Sequence, residues 1–185
     1  MSTKITTIII LLMSFILSSC EQRESIADSF LEYDSTEFIT ENNDLSDRIP
    51  VFSVKYPPEW EYGWVGDSGV IALMISSGDV EAAFFGQDDS GAFMMIIPIP
   101  YSGEILTDMF YTTLNAGRVL EPSKTTRING QNAAKAEYTS KEDAFIEVVI
   151  ARGEWALLIV AQLPTEKATE YRPLIEAMIS TLDIK

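Results

Sequence analysis

Apolar and polar positions fall into three regimes along this chain. Residues 5–17 form an almost unbroken apolar run preceded by one lysine, Lys4. As a helix at ~1.5 Å per residue that run covers roughly 20 Å, short of the about 20 apolar residues that a ~30 Å bilayer core requires. With the small residues Ser18-Ser19 behind it, the arrangement predicts an export signal over residues 1–19 and not a permanent span. Residues 20–48 carry nine acidic side chains and few aliphatics, which predicts a flexible tether. Its reach as a coil is on the order of 30 Å. Within it, Ile26, Phe30 and Leu31 fall on one stripe of a short helix over residues 25–33.

From Ile49 onward the pattern is that of a folded domain, residues 49–185. Phe52, Val54 and Tyr56 alternate with Ser53 and Lys55, the period-2 signature of a half-buried strand, and Pro57-Pro58 stops it. Trp60, Tyr62 and Trp64 alternate again and predict a second strand ending at Gly66-Asp67-Ser68-Gly69. Apolar stretches at 70–75, 81–85 and 92–99 read as further strands, separated by Ser76-Ser77-Gly78-Asp79 and Gln87-Asp88-Asp89-Ser90-Gly91. The period then changes. Leu106, Met109, Phe110 and Leu114 share a helical face, with Ser102 as N-cap and Gly117 as stop. Strands at 131–138, 144–151 and 155–162 follow, joined by links short enough to make antiparallel neighbours. A last helix over 166–181 presents Ala168, Tyr171, Ile175 and Met178 on one face, with Pro173 kinking it or marking a restarted first turn. The sum is an α+β domain, an antiparallel β-sheet flanked by amphipathic helices.

Charge sharpens this picture. The chain has 28 Asp and Glu against 13 Lys and Arg and no histidine, for a net charge of −15. The excess is concentrated: residues 21–117 hold 18 acidic side chains against 3 basic ones, whereas residues 118–185 are nearly balanced. Such a field repels phosphate backbones and anionic headgroups, so no nucleic-acid partner is expected; it reads first as a solvated acidic surface that aids solubility, and second as a face that meets a basic protein or loosely held cations.

Two resemblances follow from particular residues. Leu17-Ser18-Ser19-Cys20 resembles the bacterial lipobox, in which the cysteine is acylated and becomes the new N-terminus. Cys20 is the single cysteine of the chain, so no internal disulfide exists. Two acyl chains on its sulfur would give stable anchoring, since each buried CH₂ contributes about 0.8 kcal/mol. The stretch Phe52-Ser53-Val54-Lys55-Tyr56-Pro57-Pro58-Glu59-Trp60 is similar to the opening strand and Pro-x-x-Trp of the PsbP-like (PsbP/Mog) family. Ile128-Asn129-Gly130-Gln131 leading into Ala133-Ala134, then Trp155, then Met178-Ile179-Ser180-Thr181-Leu182, fit the same family. The resemblance implies an α/β/α sandwich and a non-enzymatic role as an adaptor or extrinsic subunit. The missing histidine prevents any histidine-based metal role from being carried over.

Candidate chemistry is sparse. Without histidine, and with its one cysteine assigned to lipid, the chain cannot build Ser-His-Asp, Cys-His or most zinc sites. Gly-x-Ser-x-Gly and Walker loops are absent. Asp88-Asp89 reads first as a hairpin loop and only second as a calcium ligand pair. No cofactor is expected. Trp60, Tyr62 and Trp64 are the remaining constellation, either core or an aromatic contact patch for a partner. These readings lead to a lipid-anchored module on the extracytoplasmic side of the cell envelope. Acylated Cys20 holds it to the bilayer, and it binds a basic protein or membrane complex without chemistry of its own. The alternatives are a carrier of a small ligand or a cation such as calcium, and, more remotely, a carboxylate-based hydrolase.

Overall fold

The computed structural model describes residues 26–45, 47–67, 70–86, 91–110, 118–140 and 143–185. The export signal, Cys20, Asp88-Asp89 and residues 111–117 with Leu114 and Gly117 lie outside the described residues. Two antiparallel sheets organise the rest. The larger has the order β3-β4-β5-β9-β8-β7-β6, built from β3 (Glu61–Asp67), β4 (Val70–Ser76), β5 (Phe93–Pro100), β6 (Arg118–Ile128), β7 (Gln131–Ser140), β8 (Asp143–Arg152) and β9 (Trp155–Pro164). The smaller has the order β1-β2-β10, from β1 (Leu31–Asp34), β2 (Phe52–Tyr56) and β10 (Asp183–Ile184). Helices α1 (Thr36–Glu41), α2 (Val80–Phe84) and α3 (Ala168–Thr181) complete the α+β fold.

Alternation along the large sheet decides which face becomes the main core. Leu157, Ile159, Ala161 and Leu163 of β9 point the same way as Ile146, Val148 and Ile150 of β8. Onto that face pack Ile175, Met178 and Ile179 of α3 together with Phe52 and Val54 of β2. The opposite face is lined by small residues, Ala134, Ala136, Ala151 and Ala156, and covered in part by Leu106 and Met109 from a 3-10 turn over Leu106–Phe110. The predicted helix thus begins at Leu106 as 3-10 turn, while Ser102 Oγ bonds to the Glu104 carboxylate and does not cap it.

Tight turns hold the hairpins in register. At Asn129-Gly130 both residues have positive φ, 48° and 77°, as a two-residue hairpin between Ile128 and Gln131 requires. At Gly63 a Cβ would come within 3.3 Å of Val80, so the missing side chain lets α2 lie close on β3.

Three expectations change. The stretch at 81–85 is helical, not extended, because the Asp79 carboxylate accepts from the Ala82 N–H at 2.7 Å and caps a single turn. Strand β6 went unread: Lys124, Thr125, Thr126 and Arg127 are exposed along an outer edge, and the pairing with β7 shifts between Glu121 and Lys124, around Pro122. The largest correction concerns the tether. Leu31 to Asp34 pair in register with Tyr56 to Ser53, and Tyr33 is buried in the core, so folding begins well before Ile49. A helix is expected over 25–33, yet of the described residues 26–33 only Ile26 and Ala27 are helical. Leu-Glu-Tyr-Asp buries only one side chain, too weak a pattern to register among so many acids.

Candidate functional site

The aromatic triplet singled out in the sequence does not act as one unit. Trp60 precedes β3, is 5% exposed, and packs edge-on to Tyr171 of α3 with ring centroids 6.0 Å apart. It is core. Tyr62 and Trp64 lie on the face of β3 turned toward β1, where they meet Tyr33 at 5.1 Å and 6.5 Å between centroids. The Trp64 indole N–H donates to the Tyr33 hydroxyl at 2.6 Å, and its ring stacks on Phe38 of α1 at 4.1 Å with planes 11° apart. Tyr62 also meets Tyr56 edge-on at 5.4 Å, yet remains 49% exposed.

These rings form one wall of an open cavity of about 720 Å³ between β1, α1 and β3. The other wall is acidic, with Glu32 and Asp34 from β1 and Glu37 and Glu41 from α1. The placement is local in origin. Ser35, fully buried, donates its N–H to the Phe52 carbonyl at 3.0 Å and accepts from the Phe52 N–H on Oγ at 2.9 Å. That pair ends β1 and turns the chain directly into α1, which sets Glu37 and Glu41 one helical turn apart beside the strand.

Electrostatics distinguish the four carboxylates. Asp34 is held down at about 2 by hydrogen bonds from Lys185 and Thr36, so its charge is already matched. Among the described residues Glu32, Glu37 and Glu41 make no ion pair, although the charge of Glu32 also acts on the Lys185 ammonium. Burial pushes the Tyr33 hydroxyl up to about 12 against the opposing bond from Trp64, and Tyr62, Asp34 and Glu37 add to the rise. The site therefore combines unmatched negative charge at the rim with a neutral aromatic floor, a combination suited to a cation that keeps apolar contact.

Other regions offer less. A cavity of about 620 Å³ beside β10 is lined by Arg127 and Arg152, but both guanidinium groups are engaged. Arg127 donates to the Gly130 carbonyl at 3.3 Å, and Arg152 to the Ile184 carbonyl while lying 3.5 Å from Asp183. Among the described residues the carboxyls with clearly displaced acidity, Asp34 and Glu137, are both lowered, the opposite of what a general acid needs. Among the described residues no three Asp, Glu, His or Cys side chains converge as a metal site, and no helix is long and apolar enough to cross a membrane. The contribution of Tyr33, Phe38 and the α1 glutamates was not foreseen, since they sit in the stretch read as tether. The alternation of Leu31 and Tyr33 with Glu32 and Asp34 was the available signal.

No protein-family model matches this sequence, and no curated protein matches it in sequence. Solved structures do match. Cyanobacterial PsbP (CyanoP) from Synechocystis superposes with a TM-score of 0.55 at 14% identity, over 85% of this chain and 93% of that one. LpqN, involved in cell envelope biogenesis of Mycobacterium tuberculosis, superposes with a TM-score of 0.51 at 12% identity, over 74% and 84% of the two chains. A protein from Bacteroides thetaiotaomicron gives 0.46 at 14% identity, and this chain spans 45% of its length. The fold is PsbP-like, as the sequence motifs led one to expect.

Proposed function

We propose that this protein is a non-enzymatic binding module of the cell envelope, lipid-anchored through Cys20, that engages a cationic segment of a protein partner in the groove between β1, α1 and β3. The observation that carries the reading is the pairing of unmatched Glu32, Glu37 and Glu41 with the exposed ring of Tyr62 and the half-buried ring of Trp64 in one cavity. Lys and Arg are the side chains that answer both features, charge to carboxylate and cation to ring face. Structural likeness to a protein involved in cell envelope biogenesis supports the location. The early start of the fold supports proximity to the bilayer. Ten residues, 21–30, separate Cys20 from β1, and even fully extended they span at most about 35 Å.

Crosslinking of the processed, full-length protein in intact envelopes tests the reading, with the Glu37→Lys/Glu41→Lys double variant as control. A partner rich in Lys or Arg at the crosslink, lost in the double variant, is the expected result. Equal capture by the double variant overturns the groove as the binding site. Palmitate labelling that survives Cys20→Ser overturns the anchor.

A further inference from the structure

We infer that the partner enters the groove as an added β-strand on the free edge of β1, and does not merely rest charged side chains against it; this rests on the cationic-partner reading above. In the small sheet β1 is an outer strand, paired on one side with β2. The hydrogen bond from the Ser35 N–H to the Phe52 carbonyl fixes the phase of that pairing, because hydrogen-bonded and non-bonded pairs alternate along an antiparallel ladder. Tyr33 with Val54 and Leu31 with Tyr56 are then bonded pairs, and the backbone groups of Glu32 and Asp34 point away from β2. Lys55, opposite Glu32, agrees with this phase: its N–H turns from β1 and donates to Thr181 Oγ1 at 2.9 Å.

The cavity lies along that edge. Its lining includes Glu32 and Asp34 from one face of β1 and Tyr33 from the other, and a single cavity touches both faces of a strand where it runs along the strand's side. Tyr62 and Trp64 come from β3, itself an outer strand of the large sheet. An extended segment laid here would exchange backbone hydrogen bonds with Glu32 and Asp34. Alternate side chains would fall on the carboxylates and on the rings, the division of labour typical of strand addition.

Charge selects the occupant. A second copy of this chain brings a net −15, and its own β1 presents Glu32 and Asp34 to the same carboxylates. Short charged edges of this kind resist self-pairing. A strand alternating Lys or Arg with apolar residues suits both walls.

The test uses the processed full-length protein and a short synthetic peptide of alternating lysine and valine. Two further versions have one or the other set of alternate amides N-methylated. Binding is followed by titration at low salt, and backbone exchange at Glu32 and Asp34 by amide hydrogen exchange. The expected result is binding that slows both amides and is weakened about tenfold or more by one N-methylated set and not by the other. Binding that leaves those amides unprotected and is indifferent to both sets overturns strand addition while leaving the cationic groove standing. Absence of binding by all three peptides overturns both. Concentration-dependent protection of the same amides without peptide makes a second copy the occupant and also overturns the proposal.

Discussion

Two groups of carboxylates in this protein have opposite surroundings. Beneath α3, Glu137 lies 2.8 Å from Lys135 and 2.7 Å from Arg172, and Glu176 lies 3.2 Å from Lys135. In the groove, among the described residues, only Asp34 forms an ion pair, with Lys185, while Glu32, Glu37 and Glu41 face water beside aromatic rings. Burial explains the division. A carboxylate taken out of water needs a counter-charge and hydrogen bonds within the fold, and a carboxylate at the rim of an open cavity does not. The cluster beneath α3 therefore uses its charges to join helix to sheet, and the groove leaves Glu32, Glu37 and Glu41 open to solvent. The β3 region spans the two, with Trp60 on the α3 side and Tyr62 and Trp64 on the groove side.

That division makes Trp60, just before β3, the most damaging place to cut. Trp60→Ala empties a fully enclosed ring site against Tyr171 and is expected to cost about 3–5 kcal/mol. Tyr62→Ala, at a half-exposed ring, should cost under about 1 kcal/mol. Urea unfolding of both variants measures the contrast, and similar losses would mean that the groove wall is as structural as the core.

The matched cluster comes next. Lys135→Met takes one cation away from Glu137, which keeps Arg172, and one away from Glu176, and a loss of roughly 2–4 kcal/mol is expected, near the range for breaking a buried pair. Lys124→Met is the control. Lys124 pairs with Glu121 on the exposed edge strand, and its removal should change stability by under about 0.5 kcal/mol. Burial raises the Glu137 pKa, but Lys135 and Arg172 outweigh it, and the net shift is downward. The cluster therefore stabilises the fold above the ordinary carboxylate range and loses that contribution as pH falls through and below it. Thermal melts of Lys135→Met should show a shallower acid limb than those of the parent chain.

How much of this was legible in the sequence depends on how many side chains each element buries. Strands β2, β4, β7, β8 and β9 place three or more apolar side chains in the core, β5 places two, and all six were readable from their apolar pattern. Strand β1 buries only Tyr33, β6 runs along an exposed edge, and β10 is two residues long, so none of the three carried a pattern strong enough to read. The groove followed the same rule. Tyr62 and Trp64 were visible because they alternate, whereas Tyr33, Phe38, Glu37 and Glu41 depend on β1 pairing with β2 across a sequence gap that no local pattern encodes. The separation of Trp60 from its two neighbours was likewise set by α3, which brings Tyr171 to it.

Tyr33 joins the core to the groove floor, and its titration reads the boundary between them. Its hydroxyl ionises at about 12 in the folded chain against 10.0 for a free tyrosine. A raised folded value means that its contribution is complete below pH 10 and disappears as pH rises through 12, as the unfolded chain ionises first. The shift corresponds to roughly 2–3 kcal/mol. Denaturant midpoints recorded from pH 9 to 12 should fall more steeply for the parent than for Tyr33→Phe. Parallel curves would mean that the ring is not enclosed.

The smallest stability effect belongs to the change that should matter most for binding. In Glu37→Lys/Glu41→Lys, a lysine in the first turn of α1 opposes the helix dipole, and one in the last turn is favoured by it. The like-charge repulsion four residues apart is the same before and after. These contributions nearly cancel, so unfolding at neutral pH should shift by under about 0.5 kcal/mol, in contrast to the cluster beneath α3. The groove itself should register the reversal. Glu37 is among the charges that raise the Tyr33 pKa, so replacing it with a cation should move the tyrosine's alkaline transition to lower pH. A double variant that keeps its neutral-pH stability, titrates Tyr33 earlier and no longer holds the cationic peptide would separate availability of charge from its structural use. One that unfolds would instead place the groove carboxylates in the same structural class as Glu137.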